Sequence, residues 1–240
     1  AWAAAATMVV GILGAMAQND IKRLLSFTLV SHVGYMIMGI SLANALGLSG
    51  AIFYVVHHIL VQTALFLVVG LIERQAGSSS LRSLGSLAYV SPLLAVLYLI
   101  PALNLGGIPP FSGFLGKVML VEAAVTTGGT LAWVLVASSI ITSLLTLYTM
   151  MTVWTKAFWR DRSDAPDGDR AFARPRPLTD TQSMVAISER VDVGRMPIGM
   201  VAATSLLVAA SLAVTILGGP LAAVTGRAAA TAQDVNNYRQ

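Results

Sequence analysis

The chain has 240 residues, of which 56% are hydrophobic and only 11% are charged, and its formal net charge is +4. Soluble domains are about 25% charged, so this composition excludes a soluble enzyme domain, and its high hydrophobicity excludes a disordered chain. The basic residues stand beside long apolar runs, which indicates orientation in a membrane and not nucleic-acid binding, and the sequence predicts a polytopic membrane protein.

Several runs that are almost free of charge approach the length of about 20 residues that a membrane-spanning helix needs. They cover residues 1–18, 24–46, 48–72, 87–121, 131–155 and 197–217. We expect transmembrane helices over 1–159, a cytoplasmic loop or surface helix at 160–196, a final transmembrane helix at 197–218 and a polar tail at 219–240. The first run begins at residue 1 with no charged region before it, so we expect the chain to start inside a longer protein.

The stretch from about 87 to 127 is too long for one straight helix, and residues that break helices interrupt it. They are Asn104, Gly106, Gly107, Pro109, Pro110 and Gly113. Either two short helices cross the membrane twice, or one broken helix crosses once. A single crossing places twelve basic residues on one side and two on the other, whereas a double crossing removes that asymmetry. The positive-inside rule therefore favours one broken crossing with the basic side cytoplasmic, and an all-α fold with about six crossings.

Lys117 follows the breakers directly and opens an apolar helix. Unwound backbone at membrane depth is tolerated where it lines a cavity or an ion path, and an ammonium near the middle of a membrane is costly, so such a residue is commonly functional. The alternative is a lysine whose side chain extends to the interface, but the position after the break favours proton transfer. Glu122, five residues on, is a candidate for pairing with Lys117 through water.

All three histidines lie in predicted membrane spans, and imidazole titrates near neutral pH, which suits proton transfer. Two of them share a helix face with other polar residues at spacings of three or four. The sets are Thr28, His32 and Tyr35 in one span, and Tyr54, His58 and Gln62 in the next. His57 points in another direction and is a weaker candidate. The alternative role of these side chains is hydrogen bonding between packed helices.

A further polar stripe at helical spacing consists of Ser138, Thr142, Thr146 and Thr149. Hydroxyl side chains often serve helix packing in membranes, so a chain of water beside them is the less favoured alternative. Near the membrane surface, Asp20 suits a helix N-terminus. No phosphate loop, dinucleotide fingerprint or zinc spacing occurs, and there is no cysteine, so we expect no metal site and no bound cofactor.

Three stretches together resemble one family of membrane proteins. They are QNDIKRLLSF at 18–27 leading into SHVGY at 31–35, His57-His58 with ALFL at 64–67 and Gly70, and GIPP at 107–110 with GFLGK at 113–117. They resemble the signature of the antiporter-like, proton-translocating subunits of respiratory complex I and of multisubunit Mrp sodium/proton antiporters. The D subunits of Mrp antiporters are the most similar group, because they carry lysine after the break. The resemblance covers nearly the whole chain up to Trp159.

The resemblance implies the second repeat of the antiporter-like fold, which is the C-terminal half of a full subunit. It implies that Lys117 is the terminal proton-transfer lysine of the second channel, and that His32 and His58 lie on the hydrophilic axis that leads to it. Gln62 departs from the family pattern, because many relatives carry lysine there.

The function implied is that of a proton-translocating subunit in a multisubunit Na+/H+ antiporter, which is a secondary transporter and not an enzyme. Its expected setting is the inner membrane of a bacterial cell, as a multi-pass protein. The expected partners are the lipid bilayer, the other subunits of a hetero-oligomeric complex, H+ and Na+, with no nucleic acid and no cofactor. The alternative is an antiporter-like proton-pumping subunit of NADH:quinone oxidoreductase (complex I) or of a related membrane-bound hydrogenase.

Overall fold

The computed structural model describes residues 1–168, 194 and 196–234, and these residues form helices joined by short connections. The helices are α1 (Trp2–Met16), α2 (Ile21–Ser41), α3 (Ala45–Ala76), α4 (Leu87–Val90), α5 (Pro92–Gly106), α6 (Ser112–Thr127), α7 (Gly129–Val153), α8 (Ile198–Ile216) and α9 (Gly218–Gln233). α7 continues directly into a π-helical segment at Trp154–Trp159. The all-α membrane architecture predicted from the sequence is confirmed.

Polar side chains cap the N-termini of the two long helices α2 and α3. The Asp20 carboxylate accepts a hydrogen bond from Arg23 N (3.2 Å) and caps α2. The Asn44 side chain accepts from Gly47 N (2.6 Å) and caps α3. α3 has 32 residues, about 48 Å at 1.5 Å per residue, and it is the central helix, in contact with α2, α5, α6, α8 and α9.

The first two helices pack as a close antiparallel hairpin. A Cβ added to Gly11 would overlap the backbone of Ser31, and one added to Gly34 would overlap Met8. In lipid there is little hydrophobic driving force for helices to associate. Membrane helices therefore commonly pack by close approach at small residues. The hairpin therefore holds the polar face of α2 in a fixed position toward the rest of the bundle.

Three segments of the chain meet at one end of the bundle, which we call the basic end. They are the α1–α2 connection, the α3–α4 connection and the end of the α7 segment. Leu81 N donates to Asn19 O (2.8 Å), which joins the α3–α4 connection to the start of α2. Ser86 N donates to Arg160 O (2.8 Å), which joins it to the end of the α7 segment. We define the basic end by residues 17–23, 73–86 and 156–168.

The opposite end holds the start of α3 and the end of α6, because Asn44 Nδ2 donates to Thr127 Oγ1 (2.8 Å). The chain therefore leaves the basic end at Ser86 and has reached the opposite end by Thr127. The segment at 129–159 then returns to the basic end. α5 and α6 together thus make one pass, which confirms the single broken crossing.

Four segments are long and apolar enough to cross a membrane individually, by length and composition. They are Ile21–Ser41, Ala45–Ala76, Gly129–Trp159 and Ile198–Ile216. Together with the shorter α1 and the broken α5–α6 pair, they agree with the predicted count of about six crossings. Two apolar clusters fill the interior of the bundle, one centred on Leu65 and Tyr98 toward the basic end and one on Met38 and Leu120 toward the other.

The last pass differs from the sequence expectation. The sequence predicts a final helix at 197–218 with a polar tail from 219, but α9 continues the helical path from Gly218 to Gln233 after a bend at Leu217. Thr225 Oγ1 lies 3.0 Å from Ser49 Oγ near the start of α3, so α9 packs against the bundle as a helix beyond the predicted final span. Residues 235–240 and most of the expected loop at 160–196 lie outside the described residues.

The single broken crossing predicts the side from which introduced cysteines react. Arg82→Cys, Thr130→Cys and Ser163→Cys, each at an exposed position, are made in a cysteine-free background of the full-length protein. Positions 82 and 163 should react with a membrane-impermeant maleimide from one side, and position 130 from the other. Reaction of positions 82 and 130 from the same side would contradict one crossing between them.

Candidate functional site

The site is built around the break between α5 and α6. α5 ends at Gly106 and is followed by Gly107, whose φ of +81° is a left-handed conformation that glycine adopts without strain. The buried Asn104 Oδ1 accepts hydrogen bonds from Gly113 N (2.9 Å) and from Ser112 Oγ (3.2 Å). Ser112 N donates to Thr215 Oγ1 (3.0 Å). Side chains therefore satisfy the backbone groups at the start of α6, as a break inside a membrane protein requires.

The side chain of Lys117 extends from α6 back to the end of α5. Its Nζ donates to Leu105 O (3.1 Å), Gly106 O (3.0 Å) and Ser143 Oγ (3.0 Å), and the residue is 6% exposed. The two carbonyls belong to the last turn of α5, where the helix dipole favours a cation. The ammonium is thus held inside the bundle, which excludes the alternative of a side chain extended to the interface.

The ammonium of Lys117 also faces an aromatic ring. Its Nζ lies 5.4 Å from the centroid of the Tyr35 ring, within the range of a cation–π interaction. Tyr35 Oη donates to Ser139 O (2.6 Å), which fixes the ring between α2 and α7. The spacing of Tyr35 to His32 predicts a supporting role for it, and the structure places it between Lys117 and the histidines.

Five aromatic side chains form a continuous group that we call the ring cluster. Its members are His32, Tyr35, Tyr54, His57 and His58. The His32 and His58 rings stack with centroids 5.0 Å apart, and the Tyr35 and Tyr54 rings with centroids 5.2 Å apart. Tyr54 Oη lies 2.8 Å from His32 Nδ1, at hydrogen-bond distance. The two polar stripes read from the sequence therefore meet in one place.

His57 faces the break. Its Nδ1 lies 3.0 Å from Ser112 Oγ, and its ring lies 5.4 Å from that of Tyr54, centroid to centroid. The sequence places it in a different direction from His58, and the structure shows that this direction leads to the first turn of α6. His57 thus joins the ring cluster to the break by a hydrogen bond.

Thr28 and Gln62 lie beside the ring cluster toward the basic end. Thr28 Oγ1 and Gln62 Nε2 both donate to Leu25 O, each at 2.8 Å. Both residues are buried. They connect the polar faces of α2 and α3 through one shared carbonyl, which agrees with the two stripes predicted for those helices.

Several buried polar atoms of this region have no hydrogen-bond partner among the described residues. They are His32 Nε2, His57 Nε2, both ring nitrogens of His58, Gln62 Oε1, Asn104 Nδ2 and Thr142 Oγ1. A buried polar group without a partner is costly, and native structures commonly satisfy it with internal water. The concentration of such atoms around the ring cluster is what a hydrated interior requires.

Glu122 lies on a groove that begins at Lys117. The two side chains line a cavity of about 550 Å³ between α6 and α7, whose other walls include Phe114, Ile140 and Leu144. Glu122 is exposed, and among the described residues no ion pair joins it to Lys117. The predicted pairing is thus not a direct contact, and Glu122 stands between Lys117 and the opposite end of the bundle.

Sequence reasoning did not identify three residues that complete the site. Ser139 and Ser143 contact Tyr35 and Lys117, and Ser112 bridges His57 and Asn104. The contacts of the two α7 serines join residues that are 104 and 26 positions apart in the chain, so no local spacing reveals them. For Ser112, its position among the helix breakers is the available signal.

The fold and the buried lysine at a helix break define a membrane protein of the antiporter-like class. The chain belongs to the family described as NADH:quinone oxidoreductase/Mrp antiporter, transmembrane, whose model matches residues 1–146. It is 42% identical over 156 residues to the D subunit of the Na+/H+ antiporter of Alkalihalophilus pseudofirmus, a match that covers 65% of this chain and 31% of the relative. It is 30% identical over 173 residues to the corresponding D subunit of Bacillus subtilis, covering 72% and 34%.

Solved structures show the same likeness. A chain of the Mrp complex from Dietzia sp. DQ12-45-1b superimposes with a TM-score of 0.80 at 33% identity, covering 99% of this chain and 48% of that one. A chain of respiratory complex I from Thermus thermophilus gives a TM-score of 0.63 at 25% identity, covering 91% and 43%. The chain thus spans about a third of the length of the curated relatives it matches.

The packing of the break predicts the effect of one added methyl group. A Cβ at Gly113 would overlap the carbonyl oxygen of Asn104, whereas one at Gly219 meets nothing within 4 Å. Gly113→Ala should therefore destabilise the protein by about 1–3 kcal/mol, the usual cost of overpacking, and lower the Tm of the purified complex. The matched change Gly219→Ala should leave the Tm unchanged. Equal Tm values for the two variants would contradict the close contact between the half-helices.

Proposed function

We propose that the chain is a proton-translocating part of a multisubunit Na+/H+ antiporter and acts as a secondary transporter, not as an enzyme. The two curated relatives described above are named as D subunits of Na+/H+ antiporters, and the structural neighbour with a TM-score of 0.80 belongs to an Mrp complex. These names support a hetero-oligomeric complex with other membrane subunits as partners. The bacterial sources of the relatives support a bacterial inner membrane.

The observation that carries the proposal is the placement of Lys117. Its ammonium is buried at the break, bonded to carbonyl and hydroxyl oxygens, and in contact with the ring cluster through Tyr35. A lysine held in this way changes its charge when it releases a proton, while arginine does not in practice deprotonate in proteins. Lys117 therefore serves in the proposal as the group that takes up and releases the transported proton.

The ring cluster serves as the path by which protons reach Lys117. An imidazole accepts a proton on one nitrogen and releases it from the other, so a histidine can pass a proton along a chain of hydrogen bonds. His32 and His57 each have one ring nitrogen near a hydroxyl and one without a partner among the described residues. In the proposal, internal water contacts the free nitrogens and completes the connections between the rings.

The distribution of basic residues indicates how the chain is oriented in the membrane. The basic end carries Lys22, Arg23, Arg74, Arg82, Lys156, Arg160 and Arg162. The positive-inside rule therefore supports a basic end in the cytoplasm. The groove between Lys117 and Glu122 then approaches the outer surface of the membrane.

A redox-driven proton pump is the second candidate function, because the chain also resembles a complex I chain at a TM-score of 0.63. Both functions use the same proton path and differ in what drives it. By superposition the identity is 33% to the Mrp chain against 25% to the complex I chain, and this difference favours antiport.

Substitutions of Lys117 in the full-length protein within its complex test the proposal. Lys117→Ala removes the proton carrier and Lys117→Arg retains a charge that is not released. Both should lower Na+/H+ exchange in everted vesicles by roughly 100-fold or more, as expected when a proton-transfer side chain is lost. The assay contains no electron donor, since only the redox-driven alternative requires one.

The same lysine-to-arginine change at Lys22 is the control, because Lys22 lies at the basic end in an ion pair with Glu73 (2.6 Å). Native gels measure assembly of each variant. Near-normal exchange by Lys117→Arg in an assembled complex would remove Lys117 from the proton path and with it the proposed function.

A matched pair of tyrosines tests the ring cluster. Tyr54 and Tyr98 are both fully buried, and each hydroxyl has a hydrogen-bond partner, His32 for Tyr54 and Met150 O for Tyr98. Tyr54→Phe should slow exchange by about fivefold, because losing one hydrogen bond in the path costs on the order of 1 kcal/mol. Tyr98→Phe should leave the rate per assembled complex unchanged. Equal exchange rates in the two variants would show that the ring cluster serves helix packing and not proton transfer.

A further inference from the structure

Three threonines of α7 are buried on the side that faces the bundle interior. Thr142 and Thr146 are 0% exposed and Thr149 is 2% exposed. Thr146 Oγ1 donates to Thr142 O (2.8 Å) and Thr149 Oγ1 donates to Leu145 O (2.7 Å). A hydroxyl that donates in this way still has lone pairs free to accept. Thr142 Oγ1 has no partner among the described residues, so the stripe contains an unsatisfied polar group at the end nearest Ser143.

A separate cavity of about 160 Å³ opens at the basic end beside this stripe. Its walls include Gln18 and Asn19 from the α1–α2 connection, and Thr149, Thr152 and Lys156 from the end of the α7 segment. Thr149 is thus shared between the cavity and the stripe. The cavity has room for several water molecules, which occupy about 30 Å³ each in the liquid, and the polar side chains among its walls offer them hydrogen bonds.

The stripe extends from this cavity to the site around Lys117. From Thr149 to Ser143 is six residues, about 9 Å along the helix axis, and Ser143 Oγ lies 3.0 Å from Lys117 Nζ. Thr146 lies between them in the sequence, and Thr142 directly precedes Ser143. Three hydroxyls therefore span the distance between the basic end and the ammonium.

The polar face of α2 lies at the same levels of the bundle as these threonines. α2 and α7 run antiparallel, with Tyr35 bonded to Ser139 and with Leu24 and Thr149 on the walls of the same cavity. With equal rise per residue in the two helices, residues 28 and 32 of α2 lie at the levels of residues 146 and 142 of α7. The unsatisfied His32 Nε2 thus lies at the level of the unsatisfied Thr142 Oγ1.

We infer that Thr142, Thr146 and Thr149, here the hydroxyl ladder, line a water-filled route by which protons pass between the basic end and Lys117. The inference rests on the proposed function of Lys117 and adds a second connection to it, which meets the ring cluster only at His32. The cavity supplies the entrance, the ladder supplies hydrogen-bond acceptors along α7, and His32 and Ser143 are its inner end. Water is the ligand of the ladder, because hydroxyls that donate to their own helix can still accept from a small neighbour.

Isosteric changes at Thr146 separate transport from packing. Thr146→Val keeps the shape and removes the hydroxyl, whereas Thr146→Ser keeps the hydroxyl and removes a methyl group. In the full-length subunit within its complex, Val should slow Na+/H+ exchange by about fivefold to tenfold, the effect of one lost hydrogen bond in the path, and Ser should retain most of the rate. The control is Thr155→Val, on an exposed threonine of the same segment that also donates to its own helix.

Two results would overturn the inference. Exchange at the normal rate in Thr146→Val would remove the hydroxyl from the path, and a loss in Thr146→Ser that exceeds the loss in Thr146→Val would assign Thr146 to packing. These outcomes differ from a failure of the proposed function, in which Lys117→Arg exchanges normally. A ladder that fails while Lys117 remains essential leaves the ring cluster as the route to the lysine.

Accessibility to a small thiol reagent measures the water directly and does not depend on transport. Thr146→Cys and Val153→Cys are compared in a cysteine-free complex, because both positions are fully buried on α7 and Val153 lies in the apolar cluster. A charged methanethiosulfonate added at the basic end should modify position 146 at least about tenfold faster than position 153, since the reagent reacts only where water reaches. Equal protection of both cysteines would show that no water-filled route reaches Thr146.

Discussion

The ammonium of Lys117 caps the C-terminus of α5 inside the bundle, and the geometry of the site depends on this interaction. The carbonyls of Leu105 and Gly106 belong to the last turn of a helix that stops at mid-bundle, so no backbone N–H of a following turn reaches them. Both unsatisfied carbonyls and an isolated cation are costly away from water. Hydrogen bonds between the carbonyls and the ammonium reduce both costs. The helix break and the charge of Lys117 therefore stabilise each other.

This pairing couples the charge of Lys117 to the hydrogen bonds at the break. An ammonium has three N–H donors and three acceptors here, Leu105 O, Gly106 O and Ser143 Oγ. A neutral amine has two donors and a lone pair. Ser143 can serve both states, because its hydroxyl accepts from the ammonium while donating to Gly106 O (2.9 Å), and on rotation it can donate to the amine. Ser143 is therefore the side chain that lets the lysine lose its proton without leaving an unpaired donor.

Local sequence patterns predict the parts of the site that depend on one helix at a time. Clustered Gly and Pro residues predict the break, and spacings of three and four predict the faces that contain His32 and His58. The contacts of Ser143 and the direction of His57 depend on how α6 and α7 rotate against their neighbours, which no spacing records. Hydropathy does not reveal the helix at Gly218–Gln233, because its alanine-rich sequence is only moderately apolar, although alanine has the highest helix propensity.

Two cavities of different character approach Lys117 from opposite ends of the bundle. The groove with Glu122 is walled largely by apolar side chains between α6 and α7, whereas polar and apolar side chains share the walls of the cavity at the basic end. Between them, the side chain of Lys117 is 6% exposed and hydrogen bonded on the α5 and α7 sides. A continuous water channel at this point would let protons leak across the membrane in either direction. In the proposed path the lysine interrupts the water, so each proton must bind to Nζ and leave it again, and that step is where coupling to a second ion can act.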